Sequence, residues 1–564
     1  MSHQCDRAGR RGQLSPAAIA VGLVGCVIIT ASSVYTALKM GSLPWPTIFT
    51  SITALVLLRA LGHTSLNEAN VTQVIMSAGS MVAGGLAFTL PGAWMLGLGE
   101  QMGWAQILFV ALAGTLLGLV FTALIRRRFV DESDLEYPIG TAAASTLLAS
   151  RDGGRTAKRL FGSMAVSGAW CAARDGLGVV PQMVATLPIP GVAFGVYASP
   201  MLLSVGFLVG GGAAVLWVLG AVLANFGIVV GGTGAGLWDL ATAQGIVSSL
   251  GMGLMMGSGL GVVAKDVLPR VLGTLRGRGA AGATAAAGAD ERDDAAQGAA
   301  GTRTRRDRGA LALMVAAAAL VVCLGLGLSP VACVFVVLLA FVATIMSAQS
   351  VGQTGIDPME IFGLLVLLAV AALGDSSQVQ LFCVAGVVAV ACGLAGDVMS
   401  DFKTGAIIGT DPRDMWRGQA VGALLGVVVS VVTMVALAQA YGIDAFGPGK
   451  QFVAAQASVV ATMVSGIPSL PAFALGLGAG FVLYLLGVSS MMLGLGVYLP
   501  FYMSLTAGIG ALAKAVYVRV CRARGRDEQE SEESGTIVAS GLLGGESIVG
   551  VLVALGAVVA GMAG

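Results

Sequence analysis

Long apolar runs without a charged side chain are the feature that most constrains what this chain can fold into. Residues 310–328 and 420–438 are two such runs, and each is close to the roughly 20 residues that a helix needs to cross a bilayer. Only 11% of the 564 residues are charged, whereas soluble proteins carry about 25%. The runs lack the alternation of a barrel strand, so helices must satisfy the backbone hydrogen bonds in lipid. We predict an all-α polytopic membrane protein with about fourteen to sixteen transmembrane helices, some of them short or re-entrant.

Clusters of basic residues divide the chain and indicate its orientation. Arg7, Arg10 and Arg11 precede the first apolar run, and residues 270–308 and 519–526 hold further basic clusters. Because basic loops stay on the cytoplasmic side, we expect a cytoplasmic N-terminus and a multi-pass protein of the plasma membrane. The Ala/Gly-rich composition between the halves is typical of disorder. The predicted parts are a cytoplasmic N-terminal tail (1–14), a first transmembrane half (15–270), a disordered cytoplasmic linker (271–308), a second transmembrane half (309–521), a charged cytoplasmic loop (522–534) and a C-terminal transmembrane helix (535–564).

Two pairs of short motifs indicate that the halves are related. Gly41–Pro44 is similar to Gly355–Pro358, and Ser199–Gly206 is similar to Ser490–Val497. Internal repeats are common in secondary transporters, where the binding site lies between the repeats near the middle of the bilayer. The alternative is chance similarity between segments rich in small residues, because the chain has 83 glycines and small residues also serve close helix packing.

Ionisable and amide side chains inside apolar segments are the first functional candidates, because a charge at the bilayer centre costs about 2.5–3.5 kcal/mol. Glu68 and Asn70 lie in the segment from Asn67 to Gln73, and Asn70 and Gln73, three residues apart, share a helix face. This face could line a solute path. Alternatively, Asn67 caps a helix and Glu68 sits at its positive end, but capping does not explain Asn70 and Gln73.

A pair of aspartates forms the second candidate cluster. Asp397 and Asp401 are four residues apart and would lie on one helical face, where Lys403 can neutralise one of them. Two neighbouring carboxylates resist simultaneous ionisation, which suits a proton carrier. The alternative is a solvated cytoplasmic loop that precedes Asp411.

Glu546 is the third candidate, and it has no Lys or Arg close to it in the sequence. It lies in the apolar segment 536–563, and at about 1.5 Å per residue this position is roughly mid-membrane. Gln353 is a softer candidate. It belongs to the segment 349–358, which predicts either a helix break with a polar lining or an ordinary turn between helices.

The composition disfavours several other functions. His3 and His63 are the two histidines of the chain, so we expect no metal site made by the protein and no cofactor. The net charge of +1 implies no nucleic-acid partner. No P-loop or hydrolase motif is present, which disfavours ATP-driven transport and an enzymatic activity. A passive channel remains an alternative to a transporter.

Further motifs extend along nearly the whole membrane part. They are Asn67–Gly79 with Phe88–Pro91, Arg126–Val130 with Tyr137–Ala143, Ser199–Gly206, Asp401–Gly405 with Gly409–Pro412, Gly496–Pro500, and Ala539–Glu546. In this order they resemble the signature of the oligopeptide transporter (OPT) superfamily. One departure concerns the stretch before Lys403, where the family commonly has a run of Asn and Gln and this chain has Asp397–Asp401.

The resemblance implies a proton-coupled symporter in a lipid bilayer, with short peptides or related amino-acid conjugates as substrates. Metal chelates, as in the yellow stripe-like branch, are the alternative substrates, and a homo-oligomer is compatible with the sequence. Within this frame we expect a proton-coupling role for Glu68, Asp397, Asp401 and Glu546. We expect substrate contacts from Asn67, Asn70, Gln73, Gln353 and Lys403.

Overall fold

The chain is almost wholly helical in a computed structural model. The structure describes residues 13–41, 43, 46–133, 135, 137–149, 154–209, 211–262, 264–265, 313, 316–321, 325–354, 357–374, 376–465 and 467–563. Within these residues, ten helices are long and apolar enough to cross a membrane, and five shorter apolar helices accompany them. The predicted all-α polytopic membrane class is therefore confirmed. The predicted linker 271–308 and part of the run 310–328 lie outside the described residues.

The first half of the chain alternates long helices with short ones. Its α-helices are α1 (Pro16–Met40), α2 (Pro46–Ala60), α3 (Leu66–Ala87), α4 (Pro91–Met95), α5 (Trp104–Arg126), α6 (Pro138–Ala149), α7 (Gly154–Cys171), α8 (Pro200–Val209), α9 (Gly211–Val222) and α10 (Leu240–Val262).

The second half also alternates long helices with short ones. Its α-helices are α11 (Pro330–Thr354), α12 (Met359–Ala371), α13 (Gln378–Cys392), α14 (Val398–Ile408), α15 (Pro412–Tyr441), α16 (Ala455–Ser465), α17 (Leu470–Leu485), α18 (Ser490–Tyr498), α19 (Phe501–Ala523) and α20 (Glu528–Ala563). Single 3-10 turns cover Gly99–Gln101 and Ile443–Ala445.

The ends of α1 show how local sequence sets the helix bounds. Ser15 precedes α1, and its hydroxyl accepts the N–H of Ala18 at 3.0 Å, while Pro16 occupies the first helical position. Gly41 ends the helix with a φ of 63°, a left-handed conformation that suits glycine because it has no Cβ.

A β-hairpin interrupts the helical pattern of the first half. Strands β1 (Met183–Ile189) and β2 (Val192–Tyr197) pair in an antiparallel arrangement. Gly191 has a φ of 76°, and a proline followed by a glycine in this conformation is typical of a tight turn. The Pro190–Gly191 pair was the available sequence signal for the hairpin.

Helix α3 is the centre of the bundle. Every residue from Glu68 to Ala87 is buried, and α1, α2, α13 and α15 pack around it. Glycines allow the closest approach: a Cβ added at Gly426 of α15 would lie 2.4 Å from the Cα of Gly79. Backbone therefore meets backbone at this crossing, as in other small-residue contacts between membrane helices.

Widened π-helical segments continue several of the described helices, including those at Arg127–Asp131, Ala172–Gly176, Leu223–Gly232 and Gly393–Asp397. Such turns release backbone carbonyls and are frequent at functional sites. In the last of them, Leu394 O accepts Nε2 of Gln419 at 2.7 Å and Oγ1 of Thr122 at 3.0 Å. Side chains from two neighbouring helices thus satisfy the released carbonyl.

The C-terminal helix starts earlier than predicted. Its first residue is Glu528, so the second part of the predicted loop 522–534 is helical. Asp527 Oδ1 accepts the N–H of Glu530 at 3.0 Å. An aspartate cap followed by acidic residues in the first turn explains why a charged stretch forms a helix here.

Candidate functional site

The start of α3 places the first predicted cluster at a junction with the second half of the chain. Ser65 is the N-cap of α3, accepting the N–H of Glu68, so the alternative in which Asn67 caps the helix is wrong. Asn67 Oδ1 instead accepts Oγ1 of Thr410 at 3.2 Å. The carboxylate of Glu68 is bonded to Nδ1 of His63 at 3.0 Å and to the hydroxyl of Ser15.

The buried face of α3 binds the aspartate of α14. Gln73 Nε2 donates to Asp401 at 2.7 Å, and the Ser77 hydroxyl donates to its other oxygen at 2.6 Å. One turn earlier, Asn70 Nδ2 donates to Oγ1 of Thr410 at 3.2 Å. The side-chain oxygens of Asn70 and Gln73 are buried and have no hydrogen-bond partner among the described residues. The predicted polar face therefore exists and retains two free acceptors.

Lys403 has a backbone partner in the structure. Its Nζ donates to the carbonyl of Leu135 at 2.9 Å, and the neutralisation of an aspartate by Lys403 stays a prediction. The next residue, Thr404, donates to Gly140 O at 2.8 Å. Both contacts tie α14 to α6 and the chain before it, which the sequence pattern could not foresee.

Asp397 lies in different surroundings from Asp401. It lines a cavity of about 180 Å³ together with Asp357 and Glu360. Both carboxylate oxygens of Asp357 are buried without a hydrogen-bond partner among the described residues, and so is Oε1 of Gln456, which also lines the cavity. The remaining walls are mainly apolar, including Trp217 and three methionines, and the described lining residues include no Lys or Arg. Three acids thus share a chamber whose described walls carry no cation.

Both halves of the chain line the cavity that contains Asp357, Glu360 and Asp397, which we call the acid cavity. Gly41 and Leu43 follow the end of α1, and Asp357 lies between α11 and α12. These are the first pair of motifs that resemble each other in the sequence. The second pair forms α8 and α18, and both short helices also line the cavity. Helix α11 ends at Thr354 and α12 begins at Met359, so the segment 349–358 separates two helices, as either a helix break or an ordinary turn would.

Glu546 of α20 is fully buried, as predicted, but it has a cationic partner. Its Oε1 accepts Nη2 of Arg174 at 2.8 Å and the Ser199 hydroxyl at 2.9 Å, and its Oε2 accepts the N–H of Met201 at 2.8 Å. Arg174 also bonds Asp175. The acid is therefore compensated by a residue 372 positions away, which sequence proximity could not reveal.

A second cavity of about 480 Å³ adjoins the end of α1. Lys39, Tyr197, Tyr502 and the amides Gln182 and Gln451 are among its lining residues. Sequence reasoning missed Lys39, although a lysine four residues after a tyrosine at the end of the first apolar run was visible. It also missed Glu360, three residues after Asp357 on the same side of a helix start.

The predicted substrate contact of Gln353 and the predicted lack of a metal site stay predictions. Gln353 belongs to the last turn of α11, but its side chain lies outside the described residues. Among the described residues, no group of three His, Cys, Asp or Glu side chains is placed to hold a metal ion.

Membrane-length helices around chambers that lie near the ends of short helices are typical of membrane transport proteins. A family profile described as "OPT oligopeptide transporter protein" matches residues 13–557. The chain belongs to this family, and it is a transporter of the OPT class.

Several proteins with similar sequences are named as transporters. A Haemophilus influenzae protein named "Putative oligopeptide transporter" is 24% identical over 599 residues, which covers 92% of each chain. Metal-nicotianamine transporter YSL2 of rice (Oryza sativa subsp. japonica) is 31% identical over 157 residues, covering 26% of this chain and 23% of the rice protein. The Arabidopsis thaliana transporter of the same name is 32% identical over 148 residues, covering 24% and 21%.

Proposed function

We propose that this protein is a proton-coupled symporter of the plasma membrane that carries short peptides or related amino-acid conjugates, without enzymatic activity. The observation that carries the proposal is the acid cavity, where Asp357, Glu360 and Asp397 meet at the junction of the two halves. The basic clusters favour a cytoplasmic N-terminus, and a homo-oligomer is compatible with the proposal.

The cavity suits coupling because its described walls carry three acids and no cation. Three ionised carboxylates in one apolar chamber repel each other and lack the solvation that water would provide. Neither one proton nor one cationic substrate group compensates all three of them. If only the fully compensated cavity changes its exposure, protons and substrate must cross together, which is the requirement for symport.

We assign the leading coupling role to Asp397, because it lines the cavity. Glu68, Asp401 and Glu546 are secondary coupling candidates, since each already accepts hydrogen bonds from neighbouring side chains. For Asn70 and Gln73, the free acceptor oxygens support the proposed substrate contacts. The proposed roles of Asn67, Gln353 and Lys403 in substrate binding stand on the family resemblance.

The chemistry of the cavity favours substrates with a cationic group. A peptide amino terminus carries such a charge and would interact favourably with the three acids. Metal chelates are the second candidate substrates. They are favoured by the similarity to metal-nicotianamine transporters and by the methionine side chains, Met359, Met491 and Met492, that line the same cavity.

Proteoliposomes with the purified chain test the proposal. An inward proton gradient should drive accumulation of radiolabelled trialanine above its external concentration, and dissipating the gradient should abolish accumulation. Asp397→Asn should remove gradient-driven accumulation while facilitated exchange persists. Asp239→Asn is the matched control, because Asp239 is exposed and caps α10 through the N–H of Thr242.

Two results would contradict the proposal or redirect it. Uptake of trialanine that ignores the proton gradient refutes proton coupling, and equilibration without accumulation indicates a passive channel. Accumulation of nickel–nicotianamine in the same vesicles, with no accumulation of trialanine, assigns the protein to the metal–chelate substrates.

A further inference from the structure

We propose that Lys39 is the binding site for a carboxylate of the substrate, in the second cavity. This inference rests on the proposed function, in that the carboxylate is assigned to the transported molecule. The juxtaposition that carries it is a buried ammonium group that lines a chamber of about 480 Å³ and has no carboxylate at ion-pair distance among the described residues.

The surroundings of Lys39 leave most of its hydrogen-bonding capacity unused. The residue is 7% exposed, and its Nζ donates to the hydroxyl of Tyr35 at 3.0 Å. Its Nζ lies 5.3 Å from the ring centroid of Tyr35 and 5.6 Å from that of Tyr197. The described residues place no carboxylate within ion-pair distance of it. An ammonium group has three N–H donors, so two of them have no partner among the described residues and could bind a ligand.

The nearby arginine cannot substitute for Lys39 in this role. Arg174 lies on the ring of Tyr197, with its guanidinium carbon 5.1 Å from the ring centroid. Glu546 and Asp175 already pair with Arg174. Among the described residues that line the second cavity, Lys39 is therefore the cation whose charge a ligand could compensate.

The cavity has the size and polarity of a small-molecule site. Its volume of about 480 Å³ falls within the range of roughly 300–1,000 Å³ that is usual for ligand pockets. Gln182, Gln451 and Tyr502 bring further polar groups to walls that are otherwise largely apolar. A carboxylate bound to Lys39 could accept additional hydrogen bonds from such side chains.

The second cavity and the acid cavity meet at the same junction. Lys39 lines the former and Gly41, two residues later, lines the latter. Across from them, Val453 and Gln456 are divided in the same way. A Cβ added at Gly41 would lie 2.7 Å from Cβ of Ala455. A zwitterionic substrate that passes this junction would meet an ammonium group on one side and carboxylates on the other.

A purely structural role is the competing explanation. Lys39 lies in the last turn of α1, where a cation interacts favourably with the helix dipole and a long side chain can reach towards water. This role does not depend on whether the substrate has a carboxylate. The test therefore compares trialanine with trialanine amide, which lacks the terminal negative charge.

Transport by Lys39→Gln gives the first readout. We expect the KM for trialanine to rise about tenfold or more, because a charge-assisted hydrogen bond is lost, while kcat and the KM for trialanine amide stay near their wild-type values. Lys39→Arg should recover most of the affinity. Lys265→Gln is the matched control: Lys265 also lies near an aromatic ring and donates to a carbonyl, Leu485 O, but it is exposed and away from this cavity. Equal changes of KM for trialanine and its amide would overturn the proposal.

Chemical labelling of the wild-type protein gives a readout that does not require transport. Reductive methylation of Lys39 in detergent is followed by mass spectrometry, with trialanine, trialanine amide or nickel–nicotianamine present. Protection by either carboxylate-bearing molecule, with none by the amide, supports the site even if trialanine is not transported. Equal methylation with all three molecules overturns it. Failure of transport alone would count against the proposed function and leave this readout to decide the site.

Discussion

The ion pair between Arg174 and Glu546 offers the sharpest prediction, for Glu546→Gln. Ser199 donates to Oε1 and Met201 N–H donates to Oε2. Glutamine has a single side-chain oxygen, so the substitution removes the negative charge and can keep only one of these two hydrogen bonds. Both side chains of the pair have 0% exposure. Removing one partner of a buried pair typically costs about 3–5 kcal/mol. Because Asp175 still bonds Arg174 at 2.6 and 2.7 Å, we expect the lower end, about 3 kcal/mol.

This free energy can be converted into a melting temperature. With an unfolding entropy of about 2.1 cal/mol/K per residue, as in globular proteins, a loss of about 3 kcal/mol lowers Tm by roughly 3 °C for a chain of this size. Tryptophan fluorescence of the detergent-solubilised protein during heating measures the shift. Glu533→Gln, in the same helix but exposed, should leave Tm unchanged.

A double substitution separates the pair from other effects of the single change. Arg174→Met with Glu546→Met removes both charges, so its loss of stability should be smaller than the sum of the two single losses. Wild-type Tm for Glu546→Gln, or strict additivity of the two methionine substitutions, would show that the pair is not a stabilising unit. Full retention of gradient-driven uptake by Glu546→Gln would separately remove this residue from the coupling candidates.

The remaining predictions concern packing and the polar contacts of the bundle. Gly206→Ala should lower Tm strongly, because the new Cβ would lie 1.8 Å from Ala507 O. Gly211 has open space around it, so Gly211→Ala should melt like the wild type. Equal melting of both variants would contradict the helix contact. Asp401→Asn should reduce stability by about 1–3 kcal/mol, because charge-assisted hydrogen bonds become neutral ones, and an unchanged Tm would contradict the observed contacts. Gln419→Leu should lower the free energy of unfolding by about 1–2 kcal/mol, because a buried carbonyl loses one of its hydrogen-bond donors. That carbonyl belongs to Leu394, in a π-helical turn. Heating the variant in the same fluorescence assay checks this value.

Apolar periodicity predicted the membrane class, and the exceptions to it predicted part of the site. Glu546 is buried and Asp401 meets the polar face of α3, because an ionisable group in an apolar run needs a partner inside the protein. The pattern could not identify those partners. Arg174 is 372 residues from Glu546, and only the packing of α20 against α7 and α8 brings them together.

The residues that sequence reasoning missed are those with an ordinary local explanation. Lys39 lies at the C-terminal end of α1, and Glu360 lies in the first turn of α12. Helix dipoles favour a cation at the first of these positions and an anion at the second. What distinguishes these two residues from other charged residues at helix ends is visible only in three dimensions: Lys39 lines the second cavity and Glu360 lines the acid cavity. The β-hairpin was missed for a related reason, since its two strands of seven and six residues gave too short a pattern to outweigh the helical context.

The glycine contacts of α3 have a consequence for how the molecule can move. A Cβ at Gly422 would lie 2.1 Å from Ile75 O, and one at Gly25 would lie 2.5 Å from the Met76 side chain, so α1, α3 and α15 touch with almost no deformable layer between them. Sliding one of these helices past another would force backbone against its neighbour, so we expect the three to move as one rigid body. A change in the exposure of the acid cavity would then come from other helices moving against this α1–α3–α15 block, on the microsecond-to-millisecond scale of collective motion.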